Sequence, residues 1–205
     1  MAVNPEPLLY MPGSEYPGKL VFSPSGKYLA VSAGAALKRS ARVLEIASGQ
    51  VLFDHEFRFP IHDLAFDPEE RRLGLVGSDS AVRLYDFTRG TPENAAENVC
   101  DDESELALCQ QVDGRGAHAP PDDFITRSAQ DGRARFYLGH EKSIHGLEFD
   151  SEGKLFTAGG DGTIRCWPES APRPGIRLGH IPSTYQLRHP AASADGRFVL
   201  FGGTS

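Results

Sequence analysis

The chain has 205 residues, a formal net charge of −7, 22 glycines and 15 prolines. That acidity argues against nucleic-acid binding by general neutralisation of phosphates. No apolar run approaches the 18 residues of a membrane-spanning helix, so no membrane insertion is expected. Cys100, Cys109 and Cys166 are too few for a disulfide scaffold and lack metal-ligand spacing, which points to a reduced intracellular setting, cytoplasmic or nuclear.

Residues 1–17 read as a proline-rich N-terminal extension, whose apolar piece Leu8-Leu9-Tyr10 suits an outer edge strand. From Gly18 the pattern becomes regular. In GKLVFSPSGKYLAVSA, residues 20–22 form a strand, Ser23-Pro24-Ser25-Gly26 a turn and residues 28–31 a second strand. A basic loop around Lys38-Arg39-Ser40 leads to a third strand at 42–46, and a fourth comes at 51–57. A second unit repeats the scheme, with strands at 61–66, 73–76 and 81–85 around turns at 67–70 and 77–80.

The residues before the first turns are Phe22, Phe66, Phe149 and Ala192, separated by 44, 83 and 43 positions. Because 83 is nearly twice the others, a divergent repeat is expected between, near residues 101–138. Residues 105–109 could be its first strand, and Ala117 to Pro121 resist a ladder because proline has no donor. Two registers fit residues 123–138. By motif, residues 126–137 parallel 157–167, with Asp131-Gly132 six residues before Tyr137, so that a third strand ends at Tyr137 and no fourth follows. By length, 123–127 is the third strand and 133–138 the fourth. The second is preferred, because a sheet without its outer strand leaves an unpaired edge.

Residues 139–167, GHEKSIHGLEFDSEGKLFTAGGDGTIRCW, are the clearest unit. A Gly-His pair precedes a strand at 144–149. A turn at 150–153, a strand at 154–158, a Gly-Gly-Asp-Gly turn and a strand ending at Trp167 complete an antiparallel meander. A last unit opens at Gly179-His180 and runs through Ser193-Ala194-Asp195-Gly196 to a strand at 198–201.

The Gly-His opening and the aromatic close resemble a WD repeat, the four-stranded blade of a β-propeller. Trp167-Pro168, Tyr85-Asp86 and Leu44-Glu45 stand where the family has Trp-Asp. The resemblance implies an all-β chain of four-stranded antiparallel meanders with repeats near 18–57, 58–100, 101–138, 139–178 and 179–205. Such a chain would hold about four and a half blades of an incomplete ring. It also implies a buried structural clamp in which His140, Thr157, Asp161 and Trp167 form one hydrogen-bonded chain. A His–Thr–Asp set also fits a hydrolase triad, but a nucleophile needs an exposed, activated oxygen, and Thr157 is expected mid-strand behind an indole.

Two functional classes fit the family. One is a protein–protein interaction scaffold without chemistry of its own; the other is a propeller enzyme, a hydrolase or lyase, with a site in the central channel. The first strands would supply a channel only with His62, Asp63, Glu105, His145 and Glu148, which favours the scaffold. The partners are then proteins, recognised through the loops before each first strand: Arg58 and Phe59, Lys142 and Ser143, Ile181 and Thr184. His145 is expected to face outward from its strand. The seven histidines do not pair at ligand spacing with cysteine or carboxylate, so no metal is expected. No phosphate loop, nucleophile elbow or carboxylate pair implies a cofactor or a catalytic residue. The arginine three residues after the tryptophan, which marks ubiquitin-ligase receptors of this family, is replaced by Ala47, Thr88 and Ser170.

Overall fold

A computed structural model describes residues 17–35, 38–57, 59–90, 126–128, 134–167, 176–181 and 186–204. Period-2 alternation and Gly/Asp turns give strands throughout, and one 3-10 turn at Phe87–Arg89 interrupts them. β1 (Pro17–Phe22), β2 (Tyr28–Ala35), β3 (Lys38–Glu45) and β4 (Val51–Phe57) make the first antiparallel sheet, in that order. The second holds β5 (Ile61–Phe66), β6 (Arg72–Gly77) and β7 (Ala81–Asp86), then β9 (Ala134–Leu138) and β8 (Thr126–Ser128). The third holds β10 (Ile144–Phe149), β11 (Leu155–Gly159), β12 (Thr163–Trp167) and β13 (Ile176–His180). The fourth pairs β14 (Gln186–Ala192) with β15 (Val199–Thr204).

One local device makes all four opening hairpins. The residue after each marker, Ser23, Asp67, Asp150 or Ser193, accepts a backbone N–H from across the turn through its side-chain oxygen. The donors are Tyr28 at 3.1 Å, Arg72 at 2.8 Å, Lys154 at 2.9 Å and Phe198 at 2.9 Å. Short polar side chains that bond their own backbone favour turns for this reason. Three residues on, the chain must turn left-handed, and Gly26, Gly153 and Gly196 supply φ of 73°, 80° and 64°. In the second sheet Glu70 takes that place at φ 55°, and its carboxylate accepts the Ser25 hydroxyl at 2.6 Å, linking the first and second turns.

The sheets stack face to face in chain order, β1 and β2 against β5, β10 against β5 and β6, and β14 against β10 and β11. Three apolar layers result. Ala30, Val43, Phe53 and Phe57 of the first sheet meet Leu64, Phe66, Leu73, Leu75 and Tyr85 of the second. Ala65, Val76, Val82, Leu84 and Tyr137 meet Ile144, Leu147, Phe149, Leu155 and Trp167 of the third. Ala158 and Ile164 meet Leu187 of the fourth, with Ile181 and Val199 alongside. This is a partial β-propeller, an arc of meanders in the described residues.

Three expectations are corrected. β9 is a fourth strand, as the preferred register has it, but it pairs with β7, from Ala81↔Leu138 to Tyr85↔Ala134, and so completes the second sheet. The repeat expected at 101–138 is therefore not a separate sheet among the described residues; the second and third sheets are direct neighbours, and residues 91–125 lie outside the described set. Thr126 and Arg127, expected in a third strand, pair with β9 as a fifth, outermost strand. Lys38, Arg39 and Ser40 are not a loop, since the β2–β3 ladder continues to Ala35↔Lys38.

Gly77 closes β6 where a Cβ would lie 2.2 Å from the Pro60 carbonyl oxygen, a backbone atom that cannot swing aside. Gly77→Ala is expected to cost about 1–3 kcal/mol by overpacking. At Gly34 a Cβ would meet only Arg39 Cγ, at 3.8 Å, so Gly34→Ala should be near neutral. Thermal melts of the two variants check this; equal shifts would refute the close approach.

Candidate functional site

The polar cluster of the third sheet is assembled from four segments. The β9–β10 link carries His140, mid-strand β11 carries Thr157, and the β11–β12 turn carries Asp161, with Trp167 at the end of β12. His140 Nδ1 lies 2.9 Å from Asp161 Oδ2, and His140 Nε2 lies 2.8 Å from Thr157 Oγ1. The Trp167 indole N–H donates to the same Thr157 oxygen at 2.8 Å. Only one proton arrangement satisfies every atom. The indole donates to the threonine, the threonine hydroxyl to Nε2, and a neutral imidazole donates its Nδ1–H to the aspartate.

Asp161 accepts more than the histidine proton. The Glu141 N–H reaches Oδ2 at 3.0 Å, and the Thr163 N–H and hydroxyl reach Oδ1 at 2.9 and 2.8 Å. Burial works against ionisation of this carboxyl, but these donors outweigh it and hold the group far below the usual carboxylate range. Burial also keeps the His140 pKa below the ordinary histidine value, in spite of the aspartate beside it. Gly159 is required where the backbone passes this cluster, because a Cβ would sit 2.5 Å from His140 Nδ1. Thr163, absent from the clamp expected on sequence grounds, is a member of the network; its signal was the Asp-Gly-Thr run, a short polar side chain two residues after a turn aspartate. Thr157 is wholly buried and its oxygen already serves two partners, which is incompatible with a nucleophile open to substrate.

The same junction in the second sheet is built differently. Asp79 and Tyr85 occupy the places of Asp161 and Trp167, whereas Phe57 and Leu75 stand for His140 and Thr157 and join the apolar layer. Asp79 takes its cation from its own sheet, pairing with Arg83, and the Arg83 guanidinium lies over the Phe59 ring at 4.1 Å.

The innermost strands bring a second polar group together. Lys19 of β1 pairs with Asp63 of β5 at 2.9 Å, and Asp63 also accepts the Leu64 N–H at 2.9 Å and the Leu147 N–H of β10 at 3.2 Å. Glu148 is close enough for Asp63 to reinforce the upward pKa shift that burial imposes on it. His62 and His145 stack at 5.0 Å with ring planes 19° apart, and His62 Nδ1–H donates to the Ile144 carbonyl at 2.9 Å. His145 thus turns toward the neighbouring sheet and not outward.

Of the expected partner-binding residues, Lys142 is exposed and Ser143 half-buried, its hydroxyl donating to the Ser78 carbonyl at 3.3 Å. Phe59 is committed to Arg83 and Phe57, and Ile181 to the third apolar layer, with its N–H on the Gly162 carbonyl at 2.9 Å. Arg58, Thr184 and the His180 side chain lie outside the described residues.

The profile of the family described as WD domain, G-beta repeat, matches residues 48–86 and 132–168. The chain carries WD repeats at these two stretches. Each match begins at the fourth strand of one sheet and continues through the first three strands of the next, the order in which β4 precedes β5 and β9 precedes β10. Among solved structures, a chain of one titled Crystal Structure of Mitotic Checkpoint Complex is similar over 93% of this chain, with a TM-score of 0.59 and 14% identity. This chain spans 46% of that one, about half its length. With 784 solved chains matching, the likeness carries the fold alone. No curated protein matches the sequence.

Asp161→Ala strands the His140 Nδ1–H and two backbone N–H groups of the repeat, and is expected to cost about 1–3 kcal/mol. An unchanged melting temperature would refute the clamp role. Acid should act on the same network. Below the ordinary histidine pKa the unfolded chain binds a proton that buried His140 refuses, so its contribution falls by up to about 1.4 kcal/mol per pH unit. The depressed Asp161 adds stability above its unfolded pKa, near 4, that is lost as pH falls through its folded value. Melts of wild type and His140→Asn between pH 7 and 5 check this: the variant should show the flatter profile, and parallel profiles would mean that His140 is charged when folded.

Proposed function

We propose that the chain is a protein-interaction scaffold of the WD-repeat type, with no chemistry of its own, working in a reducing intracellular compartment. The observation that carries this reading is how the end-face loops are joined. Ser143, before β10, bonds the carbonyl of Ser78 from the β6–β7 turn of the neighbouring sheet. Within each sheet, Ser78 N–H bonds the Pro60 carbonyl at 3.1 Å, and Gly160 N–H the Ser143 carbonyl at 2.8 Å. Loops from two sheets are thereby held as one preorganised surface, which lowers the ordering cost of binding.

On that surface Glu141 and Lys142 are exposed and the stretch 78–80 is half-exposed. These residues, more than Phe59 or Ile181, are the contact candidates, because the latter two are already used in packing. The central polar groups serve the same end. Lys19, Asp63 and the Leu147 N–H satisfy one another across three sheets, which supports a structural and not a catalytic use of the channel.

The test is affinity capture with charge reversal on each of the two loop faces of the third sheet. Glu141→Lys with Lys142→Glu should reduce recovery of a defined partner at least tenfold, while Glu152→Lys on the opposite face leaves it unchanged. Equal recovery by both would sink the proposed face.

A further inference from the structure

Three equivalent arginines are answered in three different ways. Arg42, Arg83 and Arg165 each stand two residues before the place of the repeat's tryptophan, held by Leu44, Tyr85 and Trp167. In the first sheet Arg42 lies directly opposite Asp54 in the β3–β4 ladder, and the two pair at 2.8 Å. In the second sheet the opposite residue is Phe136, and Arg83 pairs instead with Asp79 of the β6–β7 turn. In the third sheet neither source remains. Asp161, the counterpart of Asp79, is taken by His140, Thr163 and the Glu141 N–H. The ladder place that holds Asp54 in the first sheet holds Arg177.

Two arginines therefore stand directly opposite each other, an arrangement that is destabilising for like charges. Trp167 packs toward the second sheet, and alternation puts Arg165 and its ladder partner Arg177 on that same face. Arg165 is half-buried, its Nε–H donating to the Thr163 hydroxyl at 3.3 Å, and Arg177 is exposed. Neither is in ion-pair contact with a carboxylate among the described residues. Burial lowers the Arg165 pKa and Arg177 adds to the shift, against the pull of Asp161 and Glu141. The pair is a local exception in a chain of net charge −7.

We propose that Arg165 and Arg177 form an oxyanion site at the outer rim between the second and third sheets, which takes a carboxylate or phosphoryl side chain of a protein partner. The first sheet supplies the template, since there an acidic oxygen from the adjoining strand sits against the same guanidinium. A planar guanidinium fork matches either group, and charge-assisted bonds to it are among the strong ones. Arg165 is preorganised by Thr163, and the exposed Arg177 closes over the ligand from the outermost strand of the sheet. That the ligand belongs to a protein rests on the interaction reading above. The site itself rests on the arginine pair, and its test substitutes only Arg177, so the two readings can fail separately.

Calorimetric titration of the 205-residue chain, at constant ionic strength, uses two probes: inorganic phosphate and a capped hexa-aspartate peptide. Wild type should bind at least one of them, about tenfold or more tightly than Arg177→Asp and Arg177→Ala do. Preference for the peptide marks a carboxylate ligand, and preference for phosphate a phosphoryl one. Arg177→Asp also rebuilds the ion pair of the first sheet. Without probe its melting temperature should therefore rise by about 1–4 °C, while probe binding is lost. A merely structural arginine would show no such opposition, because its removal would lower stability. Equal affinities in wild type and both variants, or no binding of either probe by wild type, would overturn the proposal. A lower melting temperature for Arg177→Asp would overturn it equally.

Discussion

Each inner meander has apolar side chains on both faces, and they are buried because another sheet packs on either side. That constraint organises everything else. The second sheet shows it fully: Leu64, Phe66 and Leu73 are buried toward the first sheet, Val76, Val82 and Leu84 toward the third. Adjacent sheets approach so closely that Gly74 leaves only 2.6 Å between an added Cβ and Leu147 Cδ1. A sheet packed in this way has few options for where its neighbours sit, and repetition of the same packing builds an arc.

Apolar layers are non-directional, and the sheets need something to set their angle and height. The innermost strands of neighbouring sheets share no ladder, so side chains bridge them. Asp63 is the hub, touching β1 through Lys19, its own strand through Leu64 and β10 through Leu147. His62 adds a bond to the Ile144 carbonyl. At the outer turns Glu70 reaches Ser25, and the Ser151 N–H reaches the Ala194 carbonyl at 3.1 Å. A buried charge such as Asp63 is tolerable because both of its carboxylate oxygens find donors and one of them is a cation.

The β-turn junction is solved twice in one chain. The third sheet uses a buried polar chain from Trp167 to Asp161; the second uses Phe57, Leu75 and Tyr85 with an Arg83–Asp79 pair capped by Phe59. Both leave the turn aspartate with a partner. They differ in kind, because the third sheet's junction places a histidine inside the hydrogen-bonded chain, between Asp161 and Thr157.

Much of this was legible in the sequence, for a local reason. Marker residues, turn types and the spacing of Asp161 to Trp167 depend on contacts within about 25 positions, and period 2 with Gly/Asp turns determines them. The members His140, Thr157, Asp161 and Trp167 could be named through the resemblance to a WD repeat, which carries over position by position because all four lie in one hairpin and its entry. The assignment of β9 could not, since Tyr85 and Ala134 meet across a segment whose length matches a repeat almost as well as an insertion. Asp63 as a hub, the His62–His145 stack and the use of Phe59 as a cap on Arg83 were equally hidden, because each depends on which face of one sheet meets another. Strands and turns are thus written in the local pattern of alternation and Gly/Asp turns, and the clamp became legible through the likeness to a WD repeat. The order of the sheets and the bonds between them emerge from packing in three dimensions, because burial of apolar area does not record which partner provides it.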